Sequence, residues 1–336
     1  MIPTTTKVVK IMLRSGHFHG VKYSLSIYLF VLVLCTCVTF SIVFCRRCNN
    51  ALTVDQPVCS SWTNSEVLQK ALYASQVVLE QKQKGFTRYV PSIIHQMWYS
   101  DKETRVPLHL KRSLESFSNM NPDATHLFWR KADLLEFVMR FYPSLSSLFL
   151  KLPKTILKVD LLRFLLLLHF GGVYSDIDTL CQKPVSDWTL GDENVSVIIG
   201  YEGGLWEFPG WEQETSEKPF ARDVQLTTWT VASMPYHPLI ANMVHICIQK
   251  LVQMKTDDLK TYDVMDFAGP GAWTDAVLEY ISPFGYSGDD IYATKVPLKV
   301  QDIYILPAAG FDWNHNGDPK LACIRHLFVG SWKRRQ

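Results

Sequence analysis

Three patterns of hydrophobic and polar positions divide the 336-residue chain. Residues 25–45 form an uncharged apolar run (LSIYLFVLVLCTCVTFSIVFC), which is long enough to cross a bilayer as a helix. Residues 65–84 are mostly polar with apolar residues at helical spacing, and they predict an amphipathic helix that Gly85 ends. From Pro91 onwards, short apolar runs alternate with helical patterns. This alternation predicts an α/β fold with parallel strands.

The individual elements of that fold can be located on the chain. The predicted strands lie in PSIIHQMWYS (91–100), ATHLFWR (124–130), VYSDIDTL (173–180), SVIIGYE (196–202) and DIYILP (302–307). The predicted helices are LHLKRSLESFSNMNPD (108–123), KADLLEFVMRFY (131–142), KTILKVDLLRFLLLLHF (154–170) and HPLIANMVHICIQKLV (237–252). The pair Gly171-Gly172 ends the leucine-rich helix and leads into the third strand.

The charged residues predict how the chain is oriented in a membrane, and the small net charge argues against a nucleic-acid partner. The net charge is only +2, so we expect no nucleic-acid partner. Four Lys or Arg and no acidic residue precede the apolar run, which places residues 1–24 in the cytoplasm, although Arg46 and Arg47 oppose this. We therefore expect a single transmembrane signal-anchor at 25–45, a stem at 46–90 and a lumenal domain at 91–336. A cleaved signal peptide is the alternative.

The pair Asp176 and Asp178 is the only Asp-x-Asp in the chain, and it follows an apolar strand. With a strand period of two, both carboxylates leave the same face, where they repel each other unless a cation lies between them. Carboxylate oxygens suit Mg²⁺ or Mn²⁺, ions that bind substrate phosphates. The pair therefore indicates handling of a diphosphate. A chance Asp-x-Asp remains an alternative, and a phosphatase motif fits less well because Thr179 comes one position too early.

Five motifs in order connect this pair to a known family. They are PSIIHQMW, KVDLLRFLLLLHFGGVYSDIDTLCQKP, WTVASMPYHPLI, GPGAWTDAVLEYI and RHLFVGSWK. Together they resemble fungal glycosyltransferase family 32, which contains the Och1-type initiation-specific α-1,6-mannosyltransferases, over residues 91–333. The resemblance implies a GT-A domain (nucleotide-sugar-binding, Rossmann-like) that uses GDP-mannose and Mn²⁺, with Mg²⁺ as the alternative metal. It further implies transfer of mannose with retention to a mannose-rich N-glycoprotein by a single-pass type II Golgi membrane protein.

The resemblance also implies roles for particular residues. Asp176 and Asp178 match the metal and diphosphate pair, and His326 is a further metal ligand. Asp160 and Arg163 match an acid and an arginine that contact donor-sugar hydroxyls. The further cofactor-binding candidates are Trp98, Tyr174, Gly269, Gly271, Ser331 and Trp332, with Gly269-Pro270-Gly271 expected as a tight loop. The alternatives are a helix-face ion pair for Asp160 and Arg163, core packing for Trp98 and Tyr174, a plain turn for the glycines and a structural role for His326.

The acceptor is the part of the resemblance that the sequence supports least. The segment YEGGLWEFPGWEQE departs from the family pattern, and its Trp206 and Trp211 either stack on sugars or pin a loop. Asp275 either faces the acceptor or serves as an acid near a helix N-terminus. The rival acceptor is inositol phosphoceramide, whose transferases carry hydrophobic spans after the catalytic domain, whereas this chain ends at SWKRRQ. The rival classes are a non-catalytic subunit of a Golgi mannosyltransferase complex and a lumenal binding module.

Overall fold

The computed structural model describes residues 65–83, 90–100, 106–205, 220–311 and 318–329. The predicted anchor at 25–45 and most of the predicted stem lie outside these ranges. Within them, every helix is too short or too polar to cross a bilayer.

The helix predicted for the stem, α1 (Glu66–Gln83), packs against the domain that follows it. Leu68 and Ala71 are fully buried in the main hydrophobic core. The Ser65 hydroxyl donates a hydrogen bond to Asp133 Oδ1 at 2.6 Å. The folded domain therefore begins before Pro91 and includes this helix.

The remaining elements follow the predicted alternation up to residue 170, apart from one additional helix at Pro143–Lys151. The helices are α2 (Leu108–Met120), α3 (Lys131–Phe141), α4 (Pro143–Lys151), α5 (Thr155–Phe170), α6 (Pro238–Gln253), α7 (Thr256–Thr261), α8 (Val264–Phe267), α9 (Pro270–Ile281), α10 (Gly288–Ala293) and α11 (Ala308–Phe311). The strands are β1 (Ile93–Trp98), β2 (Thr125–Arg130), β3 (Gly172–Ser175), β4 (Thr179–Cys181), β5 (Val197–Gly203), β6 (Gln225–Leu226), β7 (Thr230–Ser233), β8 (Leu298–Val300), β9 (Ile303–Leu306) and β10 (Ile324–His326).

The central sheet has the order β2-β1-β3-β7-β5-β9-β8, with β6 paired to β5. The pairs β1/β2, β1/β3 and β5/β9 are parallel, which confirms the α/β class. The expectation of parallel strands throughout is wrong, because β7 is antiparallel to both neighbours, β3 and β5. The edge strand β8 is also antiparallel, because a two-residue turn with Gln301 at φ 55 joins it to β9. The sheet is therefore mixed.

The leucine-rich helix α5 is central to the core. Its hydrophobic residues surround the helix on all sides, and every residue from Asp160 to Phe170 is buried, as expected of a helix enclosed by the core. It packs against α6 and leads directly into β3. Its buried polar side chains are Asp160, Arg163 and His169, so an acid and a base are held inside an apolar environment.

The predicted strand 173–180 is two strands with a turn between them. Both the amide and the hydroxyl of Thr179 donate to the carbonyl oxygen of Asp176, at 3.2 and 2.5 Å, and this closes the turn 176–179. After the turn, β4 leaves the central sheet and pairs antiparallel with β10 in a separate two-stranded sheet. That pairing places His326 opposite Thr179 and brings a distant segment of the chain to the aspartates.

The turn at Gly172 yields a first prediction. Gly172 has φ +91, and a β-carbon there would collide with the backbone carbonyl oxygen of Ile93 on β1. We expect Gly172→Ala to lower the free energy of unfolding by about 1–3 kcal/mol, measured by urea denaturation, because the clash adds to the strain of the left-handed backbone. Gly191→Ala is the control, since Gly191 has φ +90 and open space around it. Equal losses in both variants would show that the close approach to Ile93 does not matter.

Candidate active site

Asp176, Asp178 and His326 form a cluster at the carboxyl end of β3. One ligand atom from each of the three residues lies within 4.8 Å of the others. His326 Nε2 is 3.3 Å from Asp178 Oδ1. The backbone fixes both aspartates, because the Asp176 amide donates to the Trp229 carbonyl at 2.7 Å and the Val329 amide donates to Asp178 Oδ2 at 3.1 Å.

A buried arginine contacts the cluster from the interior of the domain. Arg163 Nη2 lies 2.8 Å from Asp160 Oδ1 and 3.6 Å from Asp176 Oδ1. The guanidinium also lies over the Tyr174 ring at 5.2 Å. The Tyr174 hydroxyl donates to Asp176 Oδ1 at 2.5 Å. The predicted proximity of α5 and the aspartates is therefore present, and one cation serves two carboxylates.

The environment gives the three carboxyls different proton affinities. Burial raises the pKa of Asp160 from 3.8 to about 7, although the charge of Arg163 opposes this. Burial also raises the pKa of Asp176, again against Arg163, and the nearby charge of Asp178 adds to the rise. Burial alone would raise the pKa of Asp178, but its hydrogen bond and charge interaction with His326 lower it overall. Asp178 is therefore the most readily ionised of the three.

The sign of the Asp160 shift fixes its effect on stability. A pKa that is higher in the folded protein than in the unfolded chain means that folding takes up protons. The favourable contribution of Asp160 to the stability of the folded protein is therefore complete below pH 3.8, and it is lost as the pH rises towards about 7. Arg163 limits this loss, because its positive charge favours the ionised form of Asp160.

The donor set of the cluster fits a divalent cation. Two carboxylate groups supply the hard oxygen ligands that Mg²⁺ and Mn²⁺ prefer, and an imidazole is a common ligand of transition metals. His326 Nδ1 is buried and has no hydrogen-bond partner within the described part of the chain. Asp176 and Asp178 keep 28% and 20% of their side-chain surface exposed, so the cluster is open to a ligand.

Trp229 and Phe328 belong to this site, although sequence reasoning did not select them. The Trp229 ring stacks on His326 with centroids 4.5 Å apart and planes 12° apart. Its backbone carbonyl accepts the Asp176 amide hydrogen, so one residue contacts both sides of the cluster. Phe328 packs edge-on against His326 at 4.1 Å. Trp229 opens the motif WTVASMPYHPLI, which was the available signal, but its link to Asp176 depends on strand pairing.

Four other predicted residues have structural roles in this arrangement. Tyr174 is only 1% exposed, so it positions Asp176 and does not present a surface to a sugar. The expected loop 269–271 is wrong, because Gly269 is the N-cap of α9 and Gly271 lies within that helix. A β-carbon at Gly271 would approach Asp266 Oδ1 to 2.7 Å, so close packing on α8 accounts for this glycine. Asp275 accepts hydrogen bonds from Arg222 at 2.6 and 2.7 Å.

Of the remaining candidate ligand-binding residues, only one lies in the part of the chain that the structure describes. Trp98 ends β1 at the same edge of the sheet and is partly exposed, so its contact with a base stays a prediction. The candidates outside the described residues are Ser331, Trp332, Trp206 and Trp211.

Comparison with known proteins identifies the family. Residues 107–196, which include both aspartates, match the family described as glycosyltransferase sugar-binding region containing DXD motif. The initiation-specific α-1,6-mannosyltransferase of Candida albicans is 30% identical over 284 residues, which cover 72% of each chain. The chain belongs to this family of glycosyltransferases. The Schizosaccharomyces pombe protein of the same name is 34% identical over 56% of this chain, and the match spans only 50% of that relative.

The family likeness extends to transferases with a lipid acceptor in their name. Inositol phosphoceramide mannosyltransferase 2 of Schizosaccharomyces pombe is 27% identical over 149 residues. That match covers 44% of this chain and 36% of the relative. The likeness is thus shorter than the likeness to the Candida albicans protein.

Proposed function

We propose that this chain is a metal-dependent mannosyltransferase that moves mannose from GDP-mannose to a mannose-rich N-linked glycan. The α-1,6 linkage and retention of configuration are part of the proposal. So is a GT-A catalytic domain in the Golgi lumen, behind the anchor at 25–45. The observation that carries it is the cluster of Asp176, Asp178 and His326, backed by Arg163, at the carboxyl end of a strand where α/β folds bind ligands.

Asp176, Asp178 and His326 would hold the metal, with Mn²⁺ favoured over Mg²⁺ because an imidazole joins the two carboxylates. When bound, this ion neutralises negative charge on the departing diphosphate. Tyr174 and Arg163 hold the Asp176 carboxylate in place through its Oδ1 atom. The backbone amide of Val329 does the same for Asp178 Oδ2. These contacts fix the ligands before the donor arrives, which is the condition for effective electrostatic stabilisation.

Asp160 has a supporting role in this scheme. Its carboxyl is nearly buried and lies 2.8 Å from the Arg163 guanidinium. It therefore orients Arg163 towards Asp176, and contact with a donor-sugar hydroxyl remains a prediction for both residues. A carboxylate that is paired in this way is not free to attack the sugar, so we do not propose Asp160 as a nucleophile.

The names of the relatives support mannose as the transferred sugar. Both the α-1,6-mannosyltransferases and the inositol phosphoceramide enzyme are mannosyltransferases by name. The N-glycan acceptor is preferred because the Candida albicans match covers 72% of the chain, against 44% for the lipid-modifying relative. Inositol phosphoceramide is the second candidate acceptor. A weakly active subunit of a mannan-synthesising complex is the third possibility.

The full-length protein in detergent tests this proposal directly. We expect it to transfer mannose from GDP-mannose to a mannose-rich N-glycan in the presence of Mn²⁺ and to lose this activity in EDTA. Parallel reactions contain inositol phosphoceramide, or GDP-mannose without an acceptor. Transfer to the lipid alone would replace the proposed acceptor. GDP binding without transfer or hydrolysis would favour the non-catalytic subunit, and absence of GDP binding would contradict the donor.

A further inference from the structure

Phe328 is an exposed aromatic residue in a constrained position beside the aspartates. Its side chain is 54% exposed. Its φ of 48° lies in the left-handed region, which is costly for a residue with a bulky side chain. Such strain persists only where the surrounding structure imposes it, and it is often found at functional sites.

Asp178 imposes the conformation of Phe328 from both sides. The amide of Leu327 donates to the Asp178 carbonyl oxygen at 2.8 Å. The amide of Val329 donates to the Asp178 carboxylate at 3.1 Å. The chain therefore wraps around a predicted metal ligand, and the side chain of the intervening residue projects into solvent.

The ring of Phe328 rests on a rigid base. It meets His326 at 4.1 Å and Trp229 at 5.6 Å, with interplanar angles of 66° and 78°. The Trp229 indole is 6% exposed and donates to the Phe311 carbonyl oxygen at 3.3 Å. Phe328 is thus the outer member of a three-ring cluster whose inner member is fixed in the core.

We propose that the exposed ring of Phe328 is a stacking platform for a pyranose ring at the reaction centre. The proposal rests on the proposed function, since that function places a diphosphate sugar on Asp178. Aromatic faces are electron-rich, and the axial C–H bonds of a sugar form an apolar face that packs on them. A platform that is already in place lowers the entropic cost of ordering the sugar.

The position favours a sugar over the nucleoside. Phe328 is linked to Asp178 through its two neighbouring amides, so it lies next to the predicted diphosphate site. On a diphosphate sugar, the hexose is joined directly to one phosphate, and the acceptor hexose must approach that same carbon. The base is separated from the diphosphate by the ribose. The donor hexose and the acceptor hexose are therefore the two sources of the pyranose.

Binding measurements on the full-length protein in detergent separate these sources. The probes are GDP, GDP-mannose and a mannose-rich oligosaccharide, each titrated with Mn²⁺ present by isothermal calorimetry. Phe328→Leu removes the ring but keeps apolar bulk, and Phe328→Trp keeps an aromatic face. Leu190→Ala is the control, since Leu190 is 62% exposed with φ 52 and lies in the loop between β4 and β5.

We expect Phe328→Leu to weaken binding of GDP-mannose or of the oligosaccharide about tenfold while GDP binding is unchanged. Phe328→Trp and Leu190→Ala should bind as the wild type does. Weaker GDP-mannose binding identifies the donor hexose, and weaker oligosaccharide binding identifies the acceptor hexose.

Two results would overturn the platform while leaving the proposed function intact. One is unchanged binding of both sugars, and the other is an equal loss for GDP and GDP-mannose, which would place the ring on the nucleotide. If the wild type binds no GDP, the assignment of GDP-mannose as the donor fails. The binding of the oligosaccharide to the wild type and to Phe328→Leu then decides alone whether Phe328 is a stacking platform. A wild type that binds none of the probes contradicts both proposals.

Discussion

Replacing Asp178 with asparagine is expected to lower metal-dependent transfer about 10²- to 10³-fold while the domain stays folded. Asp178 is the carboxyl in the cluster whose pKa is lowered, so it is the one most fully ionised at neutral pH. Asparagine has the same shape and can still accept the Val329 amide hydrogen, but it carries no charge. The variant therefore removes the negative charge of one proposed metal ligand and little else. Initial rates with GDP-mannose over a range of Mn²⁺ concentrations measure the effect.

Asp302→Asn is a matched control for this variant. Asp302 forms the same kind of pair, with His237 Nε2 3.2 Å from its Oδ2, but it lies between β8 and β9 and outside the cluster. We expect Asp302→Asn to retain wild-type activity. If Asp178→Asn keeps wild-type activity over the same range of Mn²⁺ concentrations, or if both variants lose activity equally, Asp178 is not a metal ligand.

Local patterns in the sequence predicted the elements around the site well, because burial and helix ends leave clear signals. The leucine run of α5 and the strand predicted in PSIIHQMWYS are examples, and both observed elements lie within the predicted bounds. The strand β7 was missed because four residues give too little periodicity to separate a strand from a loop. The start of α9 was misread although proline at a first helical position is a recognised signal, since two glycines around it suggested a loop.

The chemistry of the site was predictable only in part. The spacing of Asp176 and Asp178 suggested a shared face on one strand, but a turn between β3 and β4 brings the two carboxylates together. His326 entered through the family resemblance, and the β4–β10 pairing that brings it to Asp178 has no local signal. Trp229 and Phe328 depend on contacts across the sheet and between distant segments. Such contacts arise from tertiary packing, which hydrophobic periodicity does not encode.

The buried arginine should be the most costly residue of the site to remove. We expect Arg163→Met to lower the free energy of unfolding by about 3–5 kcal/mol at neutral pH, measured by urea denaturation. Methionine fills much of the volume, so the loss is mainly electrostatic. Without the guanidinium, Asp160 and Asp176 lose the buried cation that offsets their charges.

The pH dependence distinguishes this electrostatic cause from a packing defect. Arg163 lowers the pKa of both Asp160 and Asp176, so its removal raises these values further above that of the unfolded chain. The folded variant then takes up protons as the pH falls, and the deficit relative to the wild type should be smaller at pH 5 than at pH 8. Arg222→Met removes a similar cation from Asp266 and Asp275 at the surface, where solvent stabilises the remaining charges and the loss should be smaller. A deficit that is independent of pH would mean that Arg163 contributes through packing and does not hold Asp176 by its charge.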